Sequence, residues 1–158
     1  MLDIEFVMDG IESVFKEKFQ AYIVEINKEK KDFPLLDFNP DSLFTYSLPG
    51  VGIMPNYPVS FLLYILPPGE ISDSINQKVA LNYNIAIDCL VACSSRRNAE
   101  NERKRLRYHI VIRRFLEREI LPLYASNAKV KSYDIVSEGV DINKNMWGFA
   151  QFVIGITL

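Results

Sequence analysis

The sequence predicts an α+β fold: a largely antiparallel four-stranded sheet with helices packed on one side, in the order α-β-β-α-β-β. An amphipathic helical pattern opens the chain, strand patterns fill its second half, and an arginine-rich helical pattern interrupts those strands. The chain has 158 residues and a mass of 18.2 kDa, enough for one domain with its own core, residues 1–158. Its composition, 49% hydrophobic and 24% charged, is typical of globular proteins and excludes a disordered chain.

The first element is an amphipathic helix. Apolar residues recur at three- and four-residue spacings from Ile11 to Ile26, with charged residues between them. Asp9, followed three residues later by Glu12, fits a capping pair and places the start of the helix there. Because one side of this helix is apolar, a sheet or a second helix must cover it.

A proline-rich loop is predicted at about residues 27–58. The apolar periodicity is lost here, and five of the eight prolines occur in the segment. Proline lacks a backbone donor and fixes φ, so we expect a long ordered loop with at most one short helical turn. Its aromatic residues favour packing against the body or a partner, although a connective loop is the alternative.

Four strands follow from the apolar patterns. The continuous apolar run Val59–Leu66 is typical of a strand that is covered on both faces. Strict alternation over Val79–Cys93 predicts a long strand with one apolar face. Shorter patterns at 129–136 and 146–158 predict the last two strands, joined by a polar turn.

Few side chains suggest catalysis or metal binding. Cys89 and Cys93 lie four residues apart in a strand, roughly 13 Å, which is too far for a disulfide. With a single histidine, His109, they do not make a structural zinc site, so we expect buried free cysteines. His109 falls on the core-facing side of the second helix, which favours a packing role over a catalytic one.

The turn before the last strand mimics part of a calcium loop. Asp141, Asn143 and Asn145 match its first ligand positions, but the glycine and the final glutamate of such loops are missing. We therefore interpret the segment as a hairpin turn. The sequence predicts no catalytic, cofactor-binding or metal-binding residue, and a bacterial enzyme of unrecognised type stays an alternative.

The chain begins without a recognisable targeting signal. MLDIEFVMDG lacks the basic start and apolar stretch of a secretory signal, and no run of 18 apolar residues occurs. We expect synthesis in a cytosol and no membrane partner.

All eight arginines lie in one window, from Arg96 to Arg118. On a helix over about residues 99–121, which Pro122 ends, four of them share an arc about 60° wide. These four are Arg103, Arg107, Arg114 and Arg118.

Three interpretations of this arginine stripe are open. One is a solvated face whose ion pairs are intrahelical. The acidic candidates for those pairs are Glu100, Glu102, Glu117 and Glu119. The others are a subunit interface and a surface facing nucleic acid, although a net charge of −2, a pI near 5.5 and the lack of stacking aromatics disfavour a dedicated DNA or RNA reader.

Three stretches carry a resemblance to a known family. They are NYPVSFLLYILPPGE, IAIDCLVACSSRRNAENERKRLRYHIVIRRFL and VKSYDIVSEGVDINKNMWGFAQFVIGITL. Together with the order of elements, they resemble the tail terminator or tail-completion proteins of tailed bacteriophages, including the minor tail protein U group. The resemblance extends from the first helix over nearly the whole chain, and the proline-rich loop is longer than expected for the family.

The resemblance implies a small α+β subunit of a ring, usually hexameric, at the head-proximal end of a phage tail. Such a ring terminates the tail tube, docks to the head-tail connector protein and leaves a lumen through which DNA passes without sequence-specific contact. It implies a virion protein, made in the host bacterial cytoplasm, without catalysis or cofactor. Another phage neck or head-completion protein and a standalone nucleic-acid-binding module remain alternatives.

In such a ring the arginine stripe has two candidate roles. Closed rings use contacts between different patches of neighbouring subunits, so the stripe is expected to meet an acidic surface of a neighbour. Candidate acidic residues are Asp73, Asp134, Glu138 and Asp141. Alternatively, the stripe lines the lumen and makes loose contacts with DNA phosphates.

Overall fold

The computed structural model describes residues 3–46, 57–66, 71–73, 79–93, 98–124, 128–134, 139–140 and 146–157. Two long helices and seven strands form this part of the chain. They are α1 (Ile4–Glu29), β1 (Leu43–Thr45), β2 (Val59–Leu66), β3 (Ile71–Asp73), β4 (Val79–Cys93), α2 (Asn98–Phe115), β5 (Ala128–Asp134), β6 (Gly139–Val140) and β7 (Met146–Thr157).

The α+β class is confirmed, and the sheet is mixed. Its main order is β1-β2-β4-β7-β5, while β3 also pairs with β4 and β6 with β7. Every pairing is antiparallel except the parallel pair of β1 and β2. The predicted four-stranded, largely antiparallel sheet in the order α-β-β-α-β-β is therefore incomplete: β2, β4, β5 and β7 are the predicted strands, and β1, β3 and β6 are additional. The additional strands have two or three residues, too few for an alternating pattern to appear in the sequence.

Helix α1 begins earlier than predicted. Asp3 is its N-cap, and the Asp3 carboxylate accepts a hydrogen bond from the Phe6 backbone N–H at 2.8 Å. The capping pair predicted at Asp9 is wrong, since Asp9 lies inside the helix. Val7 and Met8 are fully buried and extend the apolar face of the helix by one turn.

The interval predicted as a proline-rich loop contains regular structure. Helix α1 continues to Glu29, a short 3₁₀ turn spans Pro40–Ser42, and β1 follows it directly. Leu35 is buried in the core, so the segment packs against the body. Residues 47–56 lie outside the described part of the chain.

The core lies between the two helices and one face of the sheet. Its centre is an aromatic cluster in which the Phe15 and Phe19 rings stack at 4.2 Å and both contact Phe61 and Phe115. Strands β2, β4 and β7 present alternate residues to this cluster. These residues are Phe61, Leu63, Ile85, Ile87, Cys89, Val91, Phe152, Ile154 and Ile156. The helices therefore cover this face, as predicted.

The opposite face of the sheet is also buried at its centre. Leu62, Tyr64, Ala86 and Leu90 form a second apolar cluster there. The Tyr64 hydroxyl donates a hydrogen bond to the buried Asp88 carboxylate at 2.8 Å. The prediction that β2 is covered on both faces is confirmed.

Helix α2 ends in a widened turn. The α-helical part stops at Phe115, and a π-helical turn spans Leu116–Ile120 before Pro122. Its last bond runs from the Leu121 N–H to the Leu116 carbonyl at 2.8 Å. Among the described residues, neither helix is apolar enough over a sufficient length to cross a membrane.

Candidate interaction surface on the helical layer

The four arginines predicted as a stripe lie together, and they face the C-terminal half of α1. Helices α1 and α2 run antiparallel, so successive arginines on α2 meet successive carboxylates on and just after α1. We call this set the arginine ladder; it consists of Arg103, Arg107, Arg114, Arg118, Glu25, Glu29 and Asp32. The stripe of arginines thus joins the two helices.

Arg107 is the most buried member of the ladder, with only 5% of its surface exposed. Its guanidinium donates to the Asp32 carboxylate at 2.7 Å and to the Phe33 carbonyl at 2.7 Å. It also donates to the Asp32 carbonyl. This fork of bonds fixes the turn that follows α1, because it satisfies two backbone acceptors and one carboxylate with one rigid group.

The turn held by Arg107 has an unusual backbone. Phe33 has a φ of 49°, a conformation that costs non-glycine residues free energy. Arg103 lies over the Phe33 ring, 5.8 Å from its centroid, and its guanidinium contacts the Asp32 carboxylate at 2.7 Å. The Arg107 hydrogen bond is the main cause that holds the pKa of Asp32 below its usual range. Two arginines therefore stabilise one strained turn.

The other half of the ladder ties the helices to each other directly. Arg114 contacts Glu29 at 2.8 Å and Glu25 at 3.0 Å, and Arg118 contacts Glu25 at 3.0 Å. The hydrogen bond between Arg114 and Glu29 lowers the pKa of Glu29 and raises that of Arg114. These pairs are more exposed than Arg107, so water screens them more strongly.

One further polar cluster continues the ladder toward the end of α2. Glu119 accepts hydrogen bonds from Lys18 and from the Tyr22 hydroxyl, both at 2.8 Å. The hydrogen bond from Lys18 is the main cause that lowers the pKa of Glu119, and the bond from Tyr22 lowers it further. Burial and the Glu119 contact raise the pKa of Tyr22 to about 12. The hydroxyl therefore stays protonated and acts as a donor.

The ion-pair partners of the stripe differ from the intrahelical candidates. Glu100 pairs with Lys104, Glu102 with Arg105 and Glu117 with Arg113, so those acids hold other cations of α2. The sequence did contain a signal for two of the true partners: Glu25 and Glu29 are four residues apart, which places them on one side of a helix. Asp32 lies in the turn after α1, beyond the end of that pattern.

The acidic residues proposed for a neighbour's surface lie outside the described side chains. Glu138 and Asp141 lie outside the described residues, as do Asn143, Asn145, Arg96 and Arg97. Asp73 and Asp134 end β3 and β5, and only their backbone is described. The interface and lumen roles of the stripe stay predictions.

A groove lies beside the ladder at the C-terminal end of α1. It has a volume of about 510 Å³, and Leu106 and Ile110 of α2 contribute its apolar part. Leu106 is 41% exposed although it is a large apolar residue. Lys30 and Lys31 line the groove as well, and both are exposed. The groove therefore combines an apolar floor with a cationic edge.

The opposite, N-terminal end of α1 carries acidic rather than basic residues beside an exposed apolar side chain. Phe6 is 63% exposed, and Leu123, from the segment after α2, is 58% exposed. Tyr124 donates a hydrogen bond to the Val7 carbonyl at 3.4 Å and so brings this segment against the first turns of α1. Glu5 and Asp9 are exposed beside Phe6. We call the patch of Glu5, Phe6 and Asp9 the acidic end.

The groups tested for chemistry lie at or near the core. The half-buried His109 ring lies 4.8 Å from the Phe152 ring, and burial lowers its pKa; its packing role stays a prediction. Cys89 is a buried free thiol whose pKa burial raises well above its ordinary value; only the backbone of Cys93 is described. Within the described ranges, no three acidic, histidine or cysteine side chains form a metal-binding group.

Comparison with known proteins assigns the chain to no family. No protein-family model matches the chain, and no curated protein matches it in sequence.

Proposed function

We propose that this chain is a structural virion protein that forms a ring at the head-proximal end of a phage tail. The ring, a hexamer by the family resemblance, terminates the tail tube and joins it to the head-tail connector. The supporting observation is the order of the main elements. Helix α1, the pair β2 and β4, helix α2 and the pair β5 and β7 follow the order on which the resemblance rests.

The ladder is consistent with a structural subunit. Its guanidinium groups form ion pairs with the chain's own carboxylates, which leaves less of their charge for phosphate. Nucleic-acid readers instead present unneutralised arginines and lysines together with stacking aromatics. The ladder thus favours a rigid assembly subunit over a standalone nucleic-acid-binding module, and DNA passage through the ring requires no sequence reading.

Deletion of the gene from the genome that encodes this chain tests the proposal. A tube that lacks its terminator is not capped, so we expect tails of irregular length that are not joined to heads, seen by negative-stain electron microscopy. Supplying the wild-type chain restores joined particles of uniform length. Tails of normal length without heads indicate another neck or head-completion protein, and normal particles overturn the proposal.

A DNA-binding assay distinguishes the proposed ring subunit from a standalone nucleic-acid-binding module. A standalone nucleic-acid-binding module binds duplex DNA as a monomer, with an affinity that falls steeply as salt increases. The proposed subunit binds DNA weakly under the same conditions. Tight, salt-sensitive binding by a monomer contradicts the ring proposal.

A further inference from the structure

The groove at the C-terminal end of α1 has unneutralised charge on one edge. In the described part of the chain, Lys30 and Lys31 form no ion pair, whereas the neighbouring Arg103 and Arg107 are paired with Asp32. Leu106 lies between these groups with 41% of its surface exposed. An exposed apolar floor beside free cations suits an apolar side chain flanked by carboxylates.

The acidic end of α1 has this chemistry. Phe6 is the most exposed large apolar residue in the described ranges, at 63%. Glu5 and Asp9 are one helical turn apart and so project from the same side of α1, next to Phe6. Neither carboxylate forms an ion pair with a described residue. The two ends of α1 are therefore opposite in charge, and each has an exposed apolar side chain that the other can cover.

One molecule cannot bring these two surfaces together. Helix α1 has 26 residues, so its ends are separated by about 39 Å at 1.5 Å per residue. The helix is fixed along its length by the core and by the ladder. An acidic end that fills the groove therefore belongs to another copy of the chain.

We propose that the groove receives the acidic end of a second copy of this chain, with Phe6 against Leu106 and with Glu5 and Asp9 facing Lys30 and Lys31. This inference rests on the proposed ring-forming function and names the contact that builds the ring. The two surfaces are different, so the contact is head-to-tail, and repetition closes a ring when the rotation between subunits permits it. Glu29 and Asp32 also line the groove, and their charge is compensated within the chain by Arg114, Arg103 and Arg107.

Removal of the apolar anchor is the first test, made on the full chain by mass photometry and sedimentation velocity. Phe6→Ser should weaken self-association by about tenfold or more, as expected for a central aromatic anchor. The control is Val24→Ser, which removes another exposed apolar residue of α1 (39% exposed) outside both surfaces. It should assemble as the wild type does. A wild-type chain that stays monomeric at high concentration, or equal effects of the two substitutions, overturns the contact.

Charge reversal is the second test and does not depend on the stability of any one variant. Lys30→Glu with Lys31→Glu makes the groove acidic, and Glu5→Lys with Asp9→Lys makes the acidic end basic. Each double variant alone should self-associate about tenfold or more weakly than the wild type. In an equal mixture every contact joins opposite charges again, so assemblies of alternating variants should form.

The outcomes separate the contact from the function. Failure of the mixture to assemble, when each variant has a wild-type circular dichroism spectrum, overturns the contact. Rings that both reversed variants still form also overturn it, while they leave the ring proposal intact. Duplex DNA binding that Lys30→Glu with Lys31→Glu abolishes, without a change in self-association, identifies a nucleic-acid groove and overturns the contact too.

Discussion

The arginine ladder and the acidic end of α1 are both rich in charge, and they differ in how that charge is satisfied. In the ladder, each of four arginines contacts a carboxylate from the other helix or from the turn after it. At the acidic end, Glu5 and Asp9 form no ion pair with a described residue, and Phe6 is exposed beside them. Charge that is satisfied internally stabilises the fold, whereas unpaired charge beside exposed apolar surface is available to a partner.

This difference predicts opposite responses to substitution. Changes in the ladder should lower the free energy of unfolding, because they remove contacts between elements of one chain. Changes at the acidic end should leave the free energy of unfolding nearly unchanged and alter self-association instead. Three experiments, ordered from the largest expected effect to the smallest, test this difference between the two regions.

Arg107→Ala should have the largest effect. The substitution removes the donor of the Asp32 carbonyl, the Phe33 carbonyl and the Asp32 carboxylate, and it releases the strained turn at Phe33. Hydrogen bonds from a charged donor contribute about 1.5 to 3 kcal/mol, so we expect a loss of about 2 to 3 kcal/mol. Urea denaturation at pH 7, followed by circular dichroism, measures this change.

Arg103→Ala is the matched control. Arg103 contacts the same Asp32 carboxylate at the same 2.7 Å, but its side chain is 57% exposed where that of Arg107 is 6% exposed. Exposed ion pairs contribute little, so we expect a loss below about 1 kcal/mol. Equal losses in the two variants contradict the assignment of Arg107 as the buried clamp.

Much of the fold followed from the sequence because its strands are long. Fifteen residues of β4 and twelve of β7 give the alternating pattern many positions in which to appear. Three-residue β1 gives none, and its parallel pairing to β2 depends on a connection between distant segments. The start of α1 was misplaced because Asp3 and Asp9 both precede apolar residues, and only the burial of Val7 decides between them.

The candidate site was predicted only in part, for a different reason. The arc that joins Arg107 and Arg114 follows from helical geometry alone, so the stripe was visible in the sequence. Its partners depend on the antiparallel packing of α1 against α2, which places Glu29 beside Arg114 although 85 residues separate them. Exposure of Phe6 and Leu106 is likewise a property of the packed structure, since each belongs to a helix that buries most of its other apolar residues.

Acid should weaken the ladder and the neighbouring Glu119 cluster by a smaller amount than Arg107→Ala does. The pKa values of Asp32 and Glu29 are lowered by their arginine partners, and that of Glu119 by Lys18 and Tyr22. A carboxyl with a lower pKa in the folded state binds fewer protons than in the unfolded state. Its stabilising contribution is therefore complete above the ordinary carboxyl range, about pH 4, and is lost as the pH falls through the folded value.

Urea midpoints measured from neutral pH down to about pH 2.5 test this dependence. The wild type should lose stability progressively on the acid side: His109, whose pKa burial lowers, contributes to the loss below about pH 6.5, and the paired carboxylates contribute below about pH 5. Arg107→Ala should show a shallower decline, because Asp32 then lacks the main cause of its lowered pKa. A decline of identical steepness in both proteins shows that the Asp32 pair does not contribute to the pH dependence.

Glu5→Gln with Asp9→Asn should have the smallest effect on stability. Both carboxylates are exposed and unpaired in the described structure, so we expect a change in the free energy of unfolding within about 0.5 kcal/mol, measured where the chain is monomeric. Glu5 lies in the first turn of α1, where a negative charge favours the helix dipole, and this interaction sets the size of the loss. At higher protein concentration the same variant should self-associate more weakly than the wild type, because its neutral end no longer attracts Lys30 and Lys31. A loss of stability as large as that of Arg107→Ala would place these carboxylates among the internal contacts and remove the distinction between the two regions.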